Sequence, residues 1–256
     1  MIAAAAFLAT LTFTGNFSQG GMVETFAPAG TEIYVNDEKA DCYAHHCLIG
    51  FGRDFPEKAY ITAKYTNGAV ENYEFTIKQK EYDIQRINKV DQGKVKPNAN
   101  NQKRIEKEAI EVATKRVESL ESSQPCPNYF NFQKPANTLV TGWFGSQRIY
   151  NGTPRAPHSG VDFKGNTGDP IYAPEGGEVI YIGNLFMTGL TVMVDHGCGV
   201  TSNFLHLSKT DKKVGDKIKK GDVLGQIGSS GLSTGPHLHW GVNLGTVRLD
   251  PLLLVK

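Results

Sequence analysis

The feature that most constrains this chain is a pair of histidines near its C-terminus, in the segment TGPHLHW at residues 234–240. Residues two apart on a β-strand face the same side, so His237 and His239 are predicted to point into one site, with Leu238 on the opposite face. Two imidazoles on one strand face indicate a metal site, because neutral imidazole is a common zinc ligand. Alone, the same pattern also arises incidentally.

A second segment, PHSGVD at residues 157–162, carries a histidine and a carboxylate four residues apart. Fully extended, that separation is about 13 Å, too far for two ligands that each lie about 2 Å from one ion. The chain must therefore bend between His158 and Asp162, and Gly160 is predicted to permit the bend. The alternative is a turn with a surface histidine and a capping aspartate.

The third segment is FLHL at residues 204–207, where His206 lies inside an apolar run. Alone it would be interpreted as a half-buried core histidine. Together the three segments supply four histidines and one aspartate within about eighty residues. Catalytic zinc keeps three protein ligands and an open position for water, so this set contains a full ligand set and two spare imidazoles.

These segments resemble the lysostaphin-type (LytM-like) zinc peptidases that cut peptidoglycan. The resemblance covers roughly residues 135–251 and includes the GSSG segment at 228–231 that leads to the histidine pair. It implies an all-β catalytic domain and a zinc-dependent endopeptidase that hydrolyses peptide cross-links of peptidoglycan. The implied partners are peptidoglycan stem peptides and cross-bridges.

The resemblance also implies a role for each motif residue. The implied zinc ligands are His158, Asp162 and His239. The implied catalytic histidines are His206 and His237. We expect His206 to be the general base and His237 to stabilise the oxyanion, although the two roles could be exchanged. One departure is Phe204, because the family usually has a tyrosine two residues before the catalytic histidine.

The composition is that of an ordinary globular protein, with 39% hydrophobic and 21% charged residues in a chain of 256. A net charge of +1 gives no indication of nucleic-acid binding and no strong attraction to anionic membranes. The apolar start MIAAAAFLATLTF, residues 1–13, has the length of a signal-peptide core and is too short to span a bilayer comfortably. A buried N-terminal strand or helix is the alternative. We therefore expect an exported protein of the periplasm or cell envelope without a stable membrane span.

The four cysteines include a tight cluster, CYAHHC at residues 42–47. One interpretation is a disulfide between Cys42 and Cys47 in an exported protein. The rival is a second zinc site that adds His45 and His46 as ligands, although adjacent histidines tend to diverge. Cys126 and Cys198 could pair with each other, and the sequence does not fix their distance.

The predicted fold is mainly β, with a small β-sandwich-like module and a linker helix before the all-β catalytic domain. The predicted divisions are 1–19 for the signal or apolar segment, 20–90 for the module, 91–134 for the linker and 135–256 for the zinc peptidase domain. Strand-like runs are predicted at 22–26, 31–35, 59–65, 71–77, 138–143, 177–182, 190–195, 200–207 and 223–227. The helical pattern covers 103–122, after a polar loop at 91–103. It is interpreted as an amphipathic linker helix or a strap across the catalytic domain.

Two other classes of function compete with the enzyme. A non-catalytic regulator or wall-binding module on the same scaffold would lack some motif residues, and all five are present here. A structural zinc protein would need a fourth protein ligand. Glu175 and His196 lie in glycine-rich turns, so we expect structural roles for them.

Overall fold

Two four-stranded antiparallel sheets form the N-terminal part of the chain. The computed structural model describes residues 10–88, 90–122, 124–127 and 130–256. The N-terminal strands are β1 (Phe13–Gly15), β2 (Met22–Phe26), β3 (Glu32–Val35), β4 (Glu38–Lys39), β5 (Cys42–Tyr43), β6 (His46–Gly50), β7 (Lys58–Lys64) and β8 (Val70–Thr76). Their orders are β1-β2-β6-β5 and β4-β3-β7-β8. The two sheets share an apolar core to which Val23, Ile49 and Ile61 contribute, which confirms the predicted small β module.

The segment predicted as a signal or apolar start lies largely outside the described residues, which begin at residue 10. Leu11 is buried in the N-terminal core, and β1 pairs with β2 from Phe13 onwards. Residues 10–15 therefore belong structurally to the β module.

One more strand, β9 (Ile84–Ile87), lies near the end of the range predicted for the module, and the predicted linker contains two helices, α1 (Gln92–Val95) and α2 (Ala99–Glu118). The predicted start of the long helix at residue 103 was four residues late. Asn98 is its N-cap and accepts a hydrogen bond from the Asn101 amide at 2.9 Å. The predicted loop at 91–103 therefore holds α1, capped by Asp91, and the first turn of α2. A 3₁₀ turn, Ser119–Glu121, follows.

Helix α2 is attached to the C-terminal domain through polar contacts. Arg104 donates to the Asn184 carbonyl at 2.9 Å, and the Phe186 amide donates to Glu108 at 2.8 Å. None of its residues is buried, and Ile110 and Val117 are exposed. The apolar face predicted for this helix is therefore partly covered, because Ile105 and Val112 are half-buried while Val117 is exposed.

The C-terminal domain is built on one large antiparallel sheet. Its strands are β10 (Val140–Gly142), β11 (Gln147–Tyr150), β12 (Thr153–Pro154), β13 (Val161–Lys164), β14 (Pro170–Tyr172), β15 (Gly177–Leu185), β16 (Gly189–Asp195), β17 (Val200–Leu207), β18 (Lys217–Ile218), β19 (Val223–Gln226), β20 (His237–Leu244) and β21 (Val247–Leu249). The order in the large sheet is β10-β13-β20-β17-β16-β15-β18, with β21 beside β20. A smaller sheet has the order β12-β11-β9. One face of the large sheet packs Phe163, Phe204 and Trp240 into the core.

Both disulfides that the cysteine count allows are present. Cys42 is bonded to Cys47, which confirms the first interpretation of that cluster. Cys126 is bonded to Cys198, a pairing that the sequence left open, and this bond ties the end of the linker to the β16–β17 turn. The His46 ring, assigned to a rival metal site, instead lies between Glu24 at 2.9 Å and the sulfur of Cys126 at 3.1 Å.

Polar contacts join the N-terminal module directly to the catalytic domain. The Lys80 ammonium lies 2.8 Å from the Asp250 carboxylate, and Arg53 Nε donates to the Gly145 carbonyl at 2.6 Å. Among the described residues, none of the helices combines the length and the apolar character that a bilayer-spanning helix requires.

Candidate metal and catalytic site

Three buried side chains meet where β13 and β20 lie side by side. His158 Nε2 is 3.0 Å from Asp162 Oδ1 and 2.9 Å from His239 Nδ1, and the last two atoms are 2.9 Å apart. All three residues are buried. Two imidazole nitrogens and one carboxylate oxygen form a donor set that binds zinc in catalytic sites. The residues present therefore fit a metal ion.

The sheet register explains why these residues meet. Asp162 and His239 are direct partners in the antiparallel β13–β20 pair, so both side chains emerge at the same point on the same face. His158 precedes β13 and reaches the pair through the turn at Ser159 and Gly160. The chain bends at Gly160, as the sequence predicted, and the structure adds a second reason for glycine at this position. A Cβ there would lie 2.3 Å from the Trp240 carbonyl oxygen, so glycine is required for close approach of two backbones.

A second layer of contacts orients the three side chains. The Trp143 carbonyl accepts a hydrogen bond from His158 Nδ1 at 2.9 Å, which leaves the lone pair of Nε2 directed at the site. Arg148 forms an ion pair with Asp162 through Oδ2, the carboxylate oxygen that faces away from the histidines. A Cβ at residue 142 would meet that same oxygen, so Gly142 leaves room for the carboxylate.

The electrostatics keep the cluster in the protonation state that a metal needs. Burial alone would raise the pKa of the Asp162 carboxyl, but its close polar contacts with His158 and His239 hold that pKa well below its usual range. Burial lowers the pKa of His239 to about 4, although Asp162 opposes the shift. At neutral pH the cluster therefore offers a carboxylate and an uncharged imidazole, which are the forms that bind metal ions.

His237 lies beside the cluster rather than in it. Its Nε2 is 3.9 Å from Asp162 Oδ1, and its Nδ1 donates to the Gly235 carbonyl at 2.8 Å. The ring is more exposed than those of the three clustered residues. The strand begins at His237, and Leu238 is fully buried on the opposite face, as the two-residue period predicted.

His206 reaches the site through an irregularity in β17. Between the pairs Val192↔Phe204 and Leu190↔Leu207, β17 has two residues where β16 has one, which is a β-bulge. His206 has a φ of 66°, in the left-handed region that non-glycine residues seldom adopt. Its ring centroid is 4.8 Å from that of His237, and its Nδ1 is 2.8 Å from the Ser230 carbonyl oxygen.

Phe204 precedes the bulge, so its side chain points to the opposite face of the sheet from His206. Its side chain is fully buried in the core and pairs across the sheet with Trp240, on the face away from the histidines. A hydroxyl group at this position would not face His206 and His237. The departure at Phe204 therefore leaves the five motif residues unaffected.

Two further side chains at the site were missed in the sequence. Arg148 and Tyr150 lie on β11 and line a small cavity together with Asp162, His206 and His237. Arg148 also donates to the Tyr150 hydroxyl at 3.1 Å. Their spacing of two residues is a strand signal, but nothing in the short segment links it to the distant histidine motifs.

The other polar residues considered in the sequence have structural roles. His196 is buried and bonds to the Gly176 carbonyl at 2.7 Å and to the Ser202 hydroxyl at 2.8 Å. Glu175 accepts a hydrogen bond from the Gly176 amide at 2.9 Å. Both residues stabilise the turns in which they lie.

The all-β sheet and its buried cluster of two histidines and one aspartate define a metallopeptidase domain. Residues 156–251 match the sequence model of peptidase family M23, which identifies this part of the chain as an M23 peptidase domain. An uncharacterised metalloprotease of Haemophilus influenzae is 31% identical over 146 residues, which cover 56% of this chain and 31% of that protein. The peptidoglycan DD-endopeptidase ShyA of Vibrio cholerae is 39% identical over 102 residues, or 40% of this chain and 24% of ShyA.

The architecture as a whole is also shared with a solved structure. A Pseudomonas aeruginosa protein assigned to peptidase M23 superposes with a TM-score of 0.68 at 28% identity, covering 93% of this chain and 94% of that one. The matched part of the chain spans only about a quarter to a third of the length of these curated relatives.

Proposed function

We propose that the protein is a zinc-dependent endopeptidase that hydrolyses peptide cross-links of peptidoglycan. The observation that carries the proposal is the convergence of His158, Asp162 and His239 beside His206 and His237. In this assignment the first three residues hold the metal. A bound zinc ion would polarise the scissile carbonyl and lower the pKa of a water molecule.

The two remaining histidines divide the proton chemistry between them. His206 donates from Nδ1 to the Ser230 carbonyl, so its Nε2 is the nitrogen left to accept a proton. Burial, then His237 and His239, lower the pKa of His206 to about 3, which keeps the ring uncharged. The proposal of His206 as general base therefore rests on its free Nε2 and its position beside the cluster, because a pKa of about 3 also makes the ring a weak base.

His237 fits the role of oxyanion stabiliser. Its Nδ1 already donates to Gly235, so it can donate from Nε2 only when the ring carries a second proton. A cationic donor aimed at the carbonyl oxygen stabilises negative charge that develops during hydrolysis.

The competing classes of function lack support at this site. A regulator without activity needs neither two spare histidines nor a small cavity beside them. A structural zinc site needs four protein ligands, and the buried cluster contains three.

The substrate proposal rests on the relatives. ShyA acts on peptidoglycan as its name states, and we propose the same polymer for this chain, with its stem peptides and cross-bridges as partners. The preferred bond is a D-Ala to diamino-acid link in a thin wall, and the alternative is a glycine-rich bridge. An exported location in the periplasm or cell envelope fits this substrate and the two disulfides.

The decisive experiment is digestion of purified sacculi by the zinc-loaded protein, with mass analysis of the released fragments. We expect cross-linked peptides to be cleaved by the wild type and left intact by His239→Ala. Casein tests general proteolysis. Efficient cleavage of casein without release from sacculi would contradict the proposed substrate.

A further inference from the structure

A histidine and a glutamate lie against the disulfide that joins the end of the linker to the C-terminal domain. His46 Nδ1 is 3.1 Å from Cys126 Sγ, and His46 Nε2 is 2.9 Å from a carboxylate oxygen of Glu24. The ligand atoms of His46, Cys126 and Cys198 all lie within 4.8 Å of one another. We call these three residues the cysteine–histidine cluster. It shares no residue with the metal cluster beside β13 and β20.

The glutamate determines which nitrogen of His46 faces the sulfur with a lone pair. An ionised carboxylate only accepts hydrogen bonds, so Nε2 carries the proton that is shared with Glu24. In the uncharged ring the lone pair is then on Nδ1, and it points at Cys126. A disulfide sulfur has no hydrogen to donate, whereas a thiol can donate one and a thiolate can share a metal ion with an imidazole. The orientation of His46 therefore suits the reduced form of the cysteines.

The backbone holds the three side chains together independently of the sulfur–sulfur bond. A Cβ at Gly197 would lie 2.3 Å from the Pro125 carbonyl oxygen, so the linker packs directly against the turn that carries Cys198. His46 is buried, pairs with Phe26 across the β2–β6 ladder and stacks on its ring with the centroids 4.5 Å apart. Reduction of the disulfide should therefore leave two thiols beside an oriented imidazole.

We propose that Cys126, Cys198 and His46 bind a zinc ion when the disulfide between the two cysteines is reduced. A dithiol gives two electrons and two protons to this disulfide and itself becomes a disulfide, and the metal then displaces the two thiol protons. Two thiolates and one imidazole are a ligand set that zinc accepts, with a fourth position for water. Glu24 is the hydrogen-bond partner that a zinc-binding histidine commonly has on its other nitrogen.

The inference does not depend on the proposed function, because the cysteine–histidine cluster takes no part in peptide hydrolysis. It implies that the end of the linker stays attached to the C-terminal domain in both oxidation states. The attachment is a covalent bond when the cysteines are oxidised and a metal ion when they are reduced.

The first test identifies the cysteines in the wild-type protein. The folded protein is reduced with a phosphine, which takes the oxygen of a water molecule while the two protons of the water go to the sulfurs. Iodoacetamide is added with and without zinc, and mass spectrometry quantifies the modified peptides. We expect zinc to slow alkylation of the half-buried Cys126 about tenfold. Cys42 is the internal control, because it is also half-buried and belongs to neither candidate metal cluster of the described residues.

Two results of this test would overturn the proposal. One is alkylation of Cys126 at the same rate with and without zinc. The other is a Cys126–Cys198 disulfide that the phosphine does not reduce in the folded protein.

The second test determines which histidine binds the metal. Cobalt is the probe, because cobalt bound by thiolates absorbs intensely through charge transfer and the metal cluster beside β13 and β20 contains no sulfur. We expect the absorption in reduced wild type and its loss in His46→Ala. His45→Ala is the matched control, because His45 is the exposed neighbour, with Nδ1 3.2 Å from the Ala27 carbonyl oxygen. An absorption as strong in His46→Ala as in wild type would contradict the proposal.

Glu24→Gln supplies a variant that keeps the imidazole, in case His46→Ala does not fold. Loss of the carboxylate partner should weaken cobalt binding by the reduced protein about tenfold to a hundredfold. Melting temperatures of the oxidised variants show which of them have folded. Unchanged cobalt affinity in folded Glu24→Gln would contradict the orienting role of Glu24.

Discussion

The carbonyl oxygen of Trp143 lies 2.9 Å from Nδ1 of His158, and this contact fixes which nitrogen of the histidine faces the metal cluster. The acceptor is a backbone atom, so the orientation of His158 does not depend on the identity of residue 143. The side chain of Asp162 is held differently, by the guanidinium of Arg148. The two side chains proposed as ligands should therefore respond differently to mutation.

Arg148→Ala should weaken zinc binding by about tenfold to a hundredfold, because the mutation frees the Asp162 carboxylate to rotate. Competition with a chelator of known affinity measures the effect. Tyr150→Phe is the control, because it removes the other hydrogen-bond partner of Arg148 and leaves the ion pair intact. Unchanged affinity in Arg148→Ala would show that the cluster orients Asp162 without help.

His237→Ala should keep nearly all bound zinc and a near-native melting temperature while losing about a hundredfold to a thousandfold in turnover. The reason is that His237 lies 3.9 Å from Asp162 Oδ1, outside the 2.9–3.0 Å cluster. His239→Ala should lose the metal as well as the activity. Zinc analysis of both purified variants tests this assignment. Equal loss of zinc in the two variants would show that His237 is a ligand.

Gly160→Ala should destabilise the fold by about 1–3 kcal/mol, the usual range for overpacking. The added Cβ would meet the Trp240 carbonyl oxygen at 2.3 Å, and a backbone atom cannot move aside as a flexible side chain can. Gly235→Ala is the matched control, because a Cβ added there would have no atom within 4 Å and the φ of Gly235 is not in the left-handed region. Denaturant unfolding of the two variants should separate them clearly.

His196→Gln should reduce the acid sensitivity of the fold. Burial lowers the pKa of His196 to about 4, against 6.5 in the unfolded chain, so the unfolded state binds more protons between these values. The neutral buried ring therefore contributes stability that is present above pH 6.5 and lost as the pH falls towards 4, about 3 kcal/mol in total. Unfolding free energies at pH 7 and pH 4.5 should differ less in the variant. Parallel curves for variant and wild type would contradict this account.

The sequence predicted the site best where the relevant residues lie on a single regular strand. The placement of His237 and His239 follows from the two-residue period of β20, and the structure agrees. The same period would have placed His206 on the face of Phe204. A bulge and a left-handed residue reverse that orientation, and no local residue pattern indicates them.

The parts that were missed depend on long-range pairing. Arg148 reaches Asp162 because β11 is held beside the site, and β9 pairs with β11 across more than sixty residues of sequence. A short strand of four residues gives little periodicity, and its partner cannot be read from its own residues. The segment 91–103 was interpreted as a loop for a similar reason. Its residue Lys94 contacts the distant turn at Gly231, and the local sequence does not reveal that contact.

The chain's two tryptophans occupy opposite surroundings, with Trp240 completely buried and Trp143 53% exposed. An indole in a dry core is shielded from dissolved quenchers such as iodide, whereas a half-exposed one is reached by them. Trp143 is also bonded through its own backbone to a residue of the metal cluster. The quenchable part of the tryptophan fluorescence therefore originates next to the site. Binding of a molecule at the site can be followed by the quenching of Trp143, without an added label.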